Sequence, residues 1–460
     1  MTTQLFSALC NPVSNWMQQY RVPGLALAVL HNGQTYTQGF GITSIQNPLP
    51  VTPDTLFQVG SISKTFLGTA AMRLAEQGRL DLDAPIRKYL PSFKLKDERV
   101  AARVSMRHLL THTGGWLGDY FNDTGWGNDA LAKMLDEIAT LPQLTPLGEI
   151  WSYNNAGFNI AGRVIEVITG QPFEQAMQAL VLSPLQLTNS FYFPWEVMVK
   201  QFAVGHISPQ DEAEPVRVGL PWALGRSSHP AGGVVSSVNE LLNYARFHLG
   251  DGSVDGQRVL AQASLQQMQA TQAKAYTSAD EWGLTWAIRY FGSARLVRHG
   301  GATRGFNADF TMLPAHNFAV ITLTNSDRGS ELYGELMPLA LKLFCNVSKP
   351  DAPLINLPTQ ALQEYVGDYE ATLQKLLVRL DGSTLTLQAI PKGGFPNHDS
   401  PPTGPALPPA RMAFDGADKG LVTEGAMKGG RFEFLRDAEN KIVWLHVGGR
   451  VHAMRGTPDP

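Results

Sequence analysis

Ser61 and Lys64 stand three residues apart at the head of a stretch, Phe57 to Arg79, that reads as a buried helix. A serine hydroxyl is almost wholly un-ionised at neutral pH and is a weak nucleophile until a neighbouring base takes its proton. A lysine one turn along the same helical face reaches that hydroxyl. The positive end of the helix dipole and burial against apolar side chains both favour the neutral amine, the form able to act as a base. The pair therefore spells a nucleophile and its base. Ser-x-x-Lys also occurs at ordinary solvated helix starts, so its meaning depends on partners elsewhere in the chain.

Tyr153 and Asn155 offer such partners, because they lie at a loop-to-helix transition where a phenol and an amide can be aimed at one spot. A buried tyrosine with a satisfied hydroxyl is the plain alternative for Tyr153. A phenol beside an ammonium has its anion stabilised, so a Lys–Tyr pair can hold one mobile proton between them without a histidine. His299-Gly300-Gly301-Ala302 forms a third group at the end of a strand-like run. His112, set between threonines and followed by Gly114-Gly115, is expected to pack and to hydrogen-bond to backbone. Pro230-Ala231-Gly232-Gly233 is expected to be architectural, its glycines allowing close backbone approach. Ser237 and Glu240 after it form a capping box for a helix over Val238–Leu249.

The elements that must position these residues follow from periodicity. Phe66, Leu67, Ala70, Ala71, Leu74 and Ala75 recur with a helical period from Lys64 to Gln77, and Gly78 is a C-terminal cap. Upstream, one amphipathic helix is expected over Phe6–Gln19, then a hairpin of Gly24–Leu30 and Gln34–Phe40 around Asn32-Gly33. Helices are expected over Asp129–Leu141, Ala156–Thr169 and Leu332–Phe344. Strands over Trp282–Tyr290, Ala294–Arg298, Ala308–Leu313 and Phe318–Asn325 complete a mainly antiparallel sheet. Lys349–Pro358 turns to Pro and Asp and reads as a linker. Beyond it, seven strand-like runs between Leu376 and Met454 indicate a small all-β barrel or sandwich, interrupted by an exposed Pro-rich loop over Pro391–Pro409.

Composition limits the function classes. Of 460 residues, 43% are hydrophobic and 17% charged, enough for a sizeable core. The net charge of -3, with both signs interspersed, leaves no footprint for nucleic acid or an anionic membrane. A cytoplasmic location is the expectation from the lack of a leader pattern and of any apolar run of membrane-spanning length. Cys10 and Cys345 are the only cysteines and are expected as free thiols. The scattered histidines suggest no zinc site, and no cofactor is expected.

Taken in order, Phe57-Gln58-Val59-Gly60-Ser61-Ile62-Ser63-Lys64, Leu109-Leu110-Thr111-His112-Thr113-Gly114-Gly115, Trp151-Ser152-Tyr153-Asn154-Asn155-Ala156-Gly157, Pro230-Ala231-Gly232-Gly233 and His299-Gly300-Gly301 resemble the serine β-lactamase and penicillin-binding-protein superfamily. The likeness is to its class C-like branch of esterases, D-aminopeptidases, carboxypeptidases and lactamases, and runs over about residues 20 to 345. Glu364-Tyr365-Val366-Gly367-Asp368-Tyr369 opens a part that resembles the lipocalin-like barrel appended to some members. The resemblance implies an α+β fold: a mainly antiparallel sheet flanked by helices with an all-helical subdomain over 1–350, a linker over 351–360, and a barrel over 361–460. It implies an acyl-enzyme on Ser61, with Lys64 and Tyr153 sharing the proton transfers in an order left open. Ser61 and Ala302 N–H groups would form an oxyanion hole. Asn155, His299, Gly300, Gly301 and Arg304 would bind substrate, with Arg304 able to return a cation to the cleft. Many lactamases and carboxypeptidases carry Lys-Thr-Gly or Lys-Ser-Gly where this chain has His299-Gly300-Gly301, and a neutral histidine offers no charge for a substrate carboxylate. The implied activity is thus hydrolysis of esters or small amides, including D-amino-acid derivatives, by a chain that can form a homo-oligomer. A β-lactamase or D,D-peptidase, and a non-catalytic binding module, are the alternatives.

Overall fold

Gly24–His31 is buried at every position but the last, because it is the strand against which both halves of the catalytic unit pack. Its alternate side chains divide two cores. Leu25, Leu27 and Val29 meet Leu9 and Val13 from the N-terminal helices and Leu332, Leu336 and Leu341 from the helix Gly329–Cys345. Ala26, Ala28 and Leu30 face the larger core around Phe66, Leu67 and Ala70 of the helix Ser63–Glu76. The small alanines let the helix Val238–Leu249, which belongs to the same core, approach the sheet closely. The computed structural model describes residues 2–455 except 210, 212, 351, 352, 396 and 403.

The sheet has eight antiparallel strands in the order Gln34–Gly41, Gly24–His31, Phe318–Thr324, Phe306–Leu313, Ala294–Thr303, Ala287–Phe291, Glu281–Trp282 and Ala273–Lys274. The hairpin turns at Asn32-Gly33 with φ of 50° and 81°, as the Asn-Gly pair requires. A class C β-lactamase-like α+β architecture is thus present, with helices on both faces of the sheet and a further group of helices beside it.

Several boundaries differ from expectation. Phe6–Gln19 is two helices, Thr2–Cys10 and Val13–Gln19, because Pro12 has no N–H to continue the first. Trp282–Tyr290 splits into Glu281–Trp282 and Ala287–Phe291, since the chain folds back where Gly283 N donates to Trp286 O (2.7 Å). Ser237 caps Val238–Leu249 through Glu240 N, but the Glu240 carboxylate turns instead to Asn189 N and Ser190. Among the described residues no helix is long and apolar enough to cross a membrane.

The C-terminal part is a closed barrel of eight antiparallel strands from Gly367–Glu370 to Arg450–Met454, shut by Tyr369 pairing with Met454. Leu376, Val378, Leu385, Leu387, Phe432 and Phe434 fill it at every second position. Its first strand, Gly367–Glu370, was not among the expected runs. Barrel packing begins inside the expected linker, where Ile355 N donates to Phe414 O (2.8 Å). The Pro-rich loop is not simply exposed. Phe395 meets Phe121 edge-on at 5.0 Å and His398 stacks on Tyr120 at 5.6 Å, because the catalytic unit presents an aromatic surface there.

Candidate active site

Ser61 sits in a single 3-10 turn, Gly60–Ile62, that leads into Ser63–Glu76, and Lys64 occupies the first turn of that helix. Lys64 is wholly buried. Its Nζ lies 2.7 Å from Asn155 Oδ1, 2.6 Å from Ala231 O and 3.2 Å from Ser61 Oγ. Two of these partners can only accept. A neutral amine has two hydrogens, so both are committed to Asn155 and Ala231, and the lone pair is left facing the serine hydroxyl. Burial, reinforced by the Arg450 guanidinium and opposed by Asp119, holds the amine well below the usual lysine range. The electrostatics favour the neutral form, and the geometry then aims it at Ser61 as a base. Ala231 belongs to the stretch expected to be architectural, yet its carbonyl is one of the groups that aim Lys64.

Tyr153 places its hydroxyl in a buried position facing Ser61, outside good hydrogen-bond geometry. Burial pushes the phenol well above its ordinary value, while the contact with Ser61 and the Arg450 guanidinium oppose that rise. The ring is fixed from several sides. His112 stacks on it at 4.2 Å, the Arg450 guanidinium lies 4.6 Å from its centroid, and Lys64 Nζ lies 4.9 Å away. His112 takes the part expected of it, accepting from Asn154 N (2.9 Å) at a φ of 57°. Its burial keeps it neutral, so it packs against the tyrosine as an uncharged ring.

The strand Ala294–Thr303 pairs with Ala287–Phe291 only as far as Arg298, so its second half has a free edge. That edge meets the Ser61 turn through glycine alone. A Cβ on Gly60 would lie 2.6 Å from Ala302 N, and one on Gly301 would lie 1.9 Å from Val59 O and 3.2 Å from Ser61 N. The backbones are in direct contact, and Ser61 and Ala302 both line the cavity, where their N–H groups are the candidates for an oxyanion hole. His299 is buried and pushed down to about 3 by that burial and by Lys64, so it is uncharged at neutral pH. Its Nδ1 bonds to Gly300 O (2.6 Å).

Asn155 is committed on both ends. Its Oδ1 accepts from Lys64, and its Nδ2 donates to Asp119 Oδ1 (2.8 Å), which leaves a single N–H for a substrate. Arg304 does not line the cavity beside Ser61; its carbonyl is pressed against Gly205, where a Cβ would lie 2.3 Å away. The cation expected of Arg304 comes instead from Arg450, which does line the cavity.

Arg450 reaches the site from the barrel. The strands Ile442–Val447 and Arg450–Met454 are joined at Gly448-Gly449, with φ of 58° and 80°, and this turn is inserted beside the catalytic residues. Tyr153 N donates to Gly449 O (2.9 Å), Val451 N to Ser152 Oγ (3.2 Å) and Trp444 Nε1 to Leu144 O (3.2 Å). The cavity has a volume of about 520 Å³, with Phe121, Trp151, Leu224 and Trp282 from the catalytic unit and Leu373 and Phe395 from the barrel among its walls. Sequence reasoning missed Ala231, Asp119 and Arg450. Nothing local to Gly448-Gly449-Arg450 says where that turn docks.

Comparison with known proteins agrees with this fold. A penicillin-binding protein 4 of Amycolatopsis lactamdurans is 33% identical over 340 residues, covering 72% of this chain and 88% of that protein. A beta-lactamase of Pseudomonas fluorescens is 26% identical over 71% of this chain and 94% of its own length. The crystal structure of SurE matches 99% of this chain and all of its own, barrel included, with a TM-score of 0.77 at 24% identity. A class C beta lactamase from Rhodobacter sphaeroides matches 73% of this chain and 98% of its own with a TM-score of 0.61 at 23% identity. Together with the beta-lactamase family model, which matches residues 12–341, these similarities place the protein in the beta-lactamase family of serine hydrolases.

Proposed function

We propose that the chain hydrolyses esters and small amides, including D-amino-acid derivatives, through an acyl-enzyme on Ser61. The observation that carries the reading is the complete burial of Lys64 with its Nζ 3.2 Å from Ser61 Oγ: burial favours the neutral amine, and in that form Asn155 and Ala231 take both hydrogens and the lone pair faces Ser61. Lys64 takes the hydroxyl proton as Oγ attacks the carbonyl carbon. The oxyanion accepts from the N–H groups of Ser61 and Ala302, each such donor lowering the barrier by about 3 kcal/mol. Tyr153, kept protonated by its burial, gives its proton to the leaving group and regains one from the Lys64 ammonium. Water then enters where the leaving group stood, and the same two residues run the transfers in reverse to free Ser61. Asn155 presents its remaining N–H to the acyl side. The limited cavity, walled on one side by the barrel, supports small substrates.

A β-lactamase or D,D-peptidase is the second reading, favoured by the Arg450 guanidinium, which lines the cavity where His299 is neutral and has two of its three nitrogens on Asp119. One screen separates the two: aryl esters, D- and L-aminoacyl anilides and a chromogenic cephalosporin, on wild type and Ser61→Ala. Turnover of esters and anilides, with fluorophosphonate labelling, both lost in Ser61→Ala, is the expected result. Rapid cephalosporin turnover promotes the second reading. Full activity in Ser61→Ala refutes both.

A further inference from the structure

Asp119 and Arg450 line the cavity yet take no part in the proton transfers. Asp119 is only 6% exposed, and three donors converge on its carboxylate: Arg450 Nε on Oδ2 (2.9 Å), and Arg450 Nη2 (3.1 Å) and Asn155 Nδ2 (2.8 Å) on Oδ1. Gly118 presses the loop that carries it against the start of the helix Asn155–Thr169. A Cβ there would lie 2.5 Å from Asn154 Cα, and Gly118 O accepts from Ala156 N (2.9 Å). The carboxylate is therefore held beside Asn155 by backbone, not by a flexible loop.

This placement has two effects on Lys64. An asparagine amide can sit either way round, and here the flipped form would set its NH2 against the lysine and its oxygen against a carboxylate. Asp119 thereby selects the orientation in which Asn155 Oδ1 accepts from Lys64. The second effect is charge. Asp119 raises the proton affinity of Lys64 and Arg450 lowers it. The other titratable groups facing the amine are Tyr153, His112 and His299, and burial keeps all three uncharged at neutral pH. The ion pair is thus what remains to set the field at Lys64.

We propose that Asp119 and Arg450 are a positioning pair for the catalytic lysine, half of it supplied by the barrel: the carboxylate orients the Asn155 amide toward Lys64, and the guanidinium cancels the carboxylate's charge so that the amine remains a base. This rests on the reading of Lys64 as the proton acceptor. It makes the barrel part of the catalytic apparatus, beyond its role as a wall.

The test is the pH dependence of kcat/KM for p-nitrophenyl acetate with the full-length protein and the variants Asp119→Asn, Arg450→Met and the double substitution. The acid limb reports the base of the free enzyme. Losing the cation makes Lys64 easier to protonate, so Arg450→Met moves the limb to higher pH by about one unit. Asp119→Asn moves it to lower pH, and the double variant, with the pair's net charge restored, returns toward wild type. If Arg450→Met does not fold, Arg450→Lys carries the same test: it keeps the wild-type limb while Asp119→Asn lowers it. Variants that lose kcat/KM with an unmoved limb, or singles that shift the same way, overturn the proposal and reduce the pair to a clamp. That outcome leaves the hydrolase reading standing, whereas activity retained in Ser61→Ala would remove the reading itself.

Discussion

Gly301→Ala is the sharpest probe of the oxyanion hole. The added Cβ would stand 1.9 Å from Val59 O, 2.9 Å from Val59 C and 3.2 Å from Ser61 N, all backbone atoms that no rotamer change can clear. The strand must withdraw by roughly 1.5 Å to restore ordinary van der Waals contact. Ala302 is the next residue and withdraws with it. An N–H displaced by that distance from a bond of about 2.9 Å no longer donates usefully to the oxyanion. Loss of one donor costs about 3 kcal/mol, a fall in kcat of roughly a hundredfold or more. The assay is steady-state hydrolysis of an aryl ester, beside a fluorophosphonate labelling rate and a thermal melt to confirm that the variant is folded. Gly300→Ala is the steric comparison, since its methyl would meet only Ala308 O, at 3.7 Å. A folded Gly301→Ala that keeps kcat within about tenfold of wild type, well short of the donor's worth, refutes the placement of Ala302 in the oxyanion hole. So does a loss no larger than that of Gly300→Ala.

Two further outcomes follow from the electrostatics. Burial holds His299 at about 3 and His112 well below its usual value, so neither titrates in the ordinary histidine range. The pH–rate profile should carry no histidine inflection near the ordinary value of about 6.5, and one that disappears in His299→Gln would contradict this. Burial alone would raise the Glu174 carboxyl, but hydrogen bonds from His229 and Arg226 overcome it and hold the group at about 2. A depressed carboxyl stabilises the fold above its unfolded value and loses that stabilisation as pH falls toward 2. The contribution is about 3 kcal/mol at neutral pH. Melting temperature measured from pH 7 down to pH 3 should fall more steeply in wild type than in Glu174→Gln, and parallel curves would show that His229 and Arg226 do not hold the carboxyl down.

Local periodicity made much of this molecule legible. The 3.6-residue repeat from Phe66 to Leu74, the Asn32-Gly33 turn and the alternating runs on either side of Pro314 each depend on neighbours a few residues away, and each stands where its pattern places it. Ser61, Lys64 and Tyr153 were also readable, since their spacing and flanking glycines recur in one known arrangement, and the fold brings them together. What escaped was long-range. Ala231 acts through its carbonyl, which any residue type could supply. Asp119 lies in a loop without a period, and its role depends on a tight approach at Gly118. Arg304 was the cation expected in the cleft, whereas Arg450, at the start of an expected barrel strand, reaches the cavity only through the docking of the barrel. Chain breaks at Pro12 and after Trp282 shifted element ends without moving any site residue.

The insertion of the Gly448-Gly449 tip beside Tyr153 also has a consequence in time. Ser61 and Arg450 belong to separately cored units, so a chain whose sheet has formed but whose barrel has not closed holds its nucleophile in an unfinished, solvent-open cleft. In refolding, recovery of native sheet signal and recovery of turnover would then be separate events, the second waiting on the docking of the barrel tip. The tip, in turn, must fit a partner it meets only after both have folded.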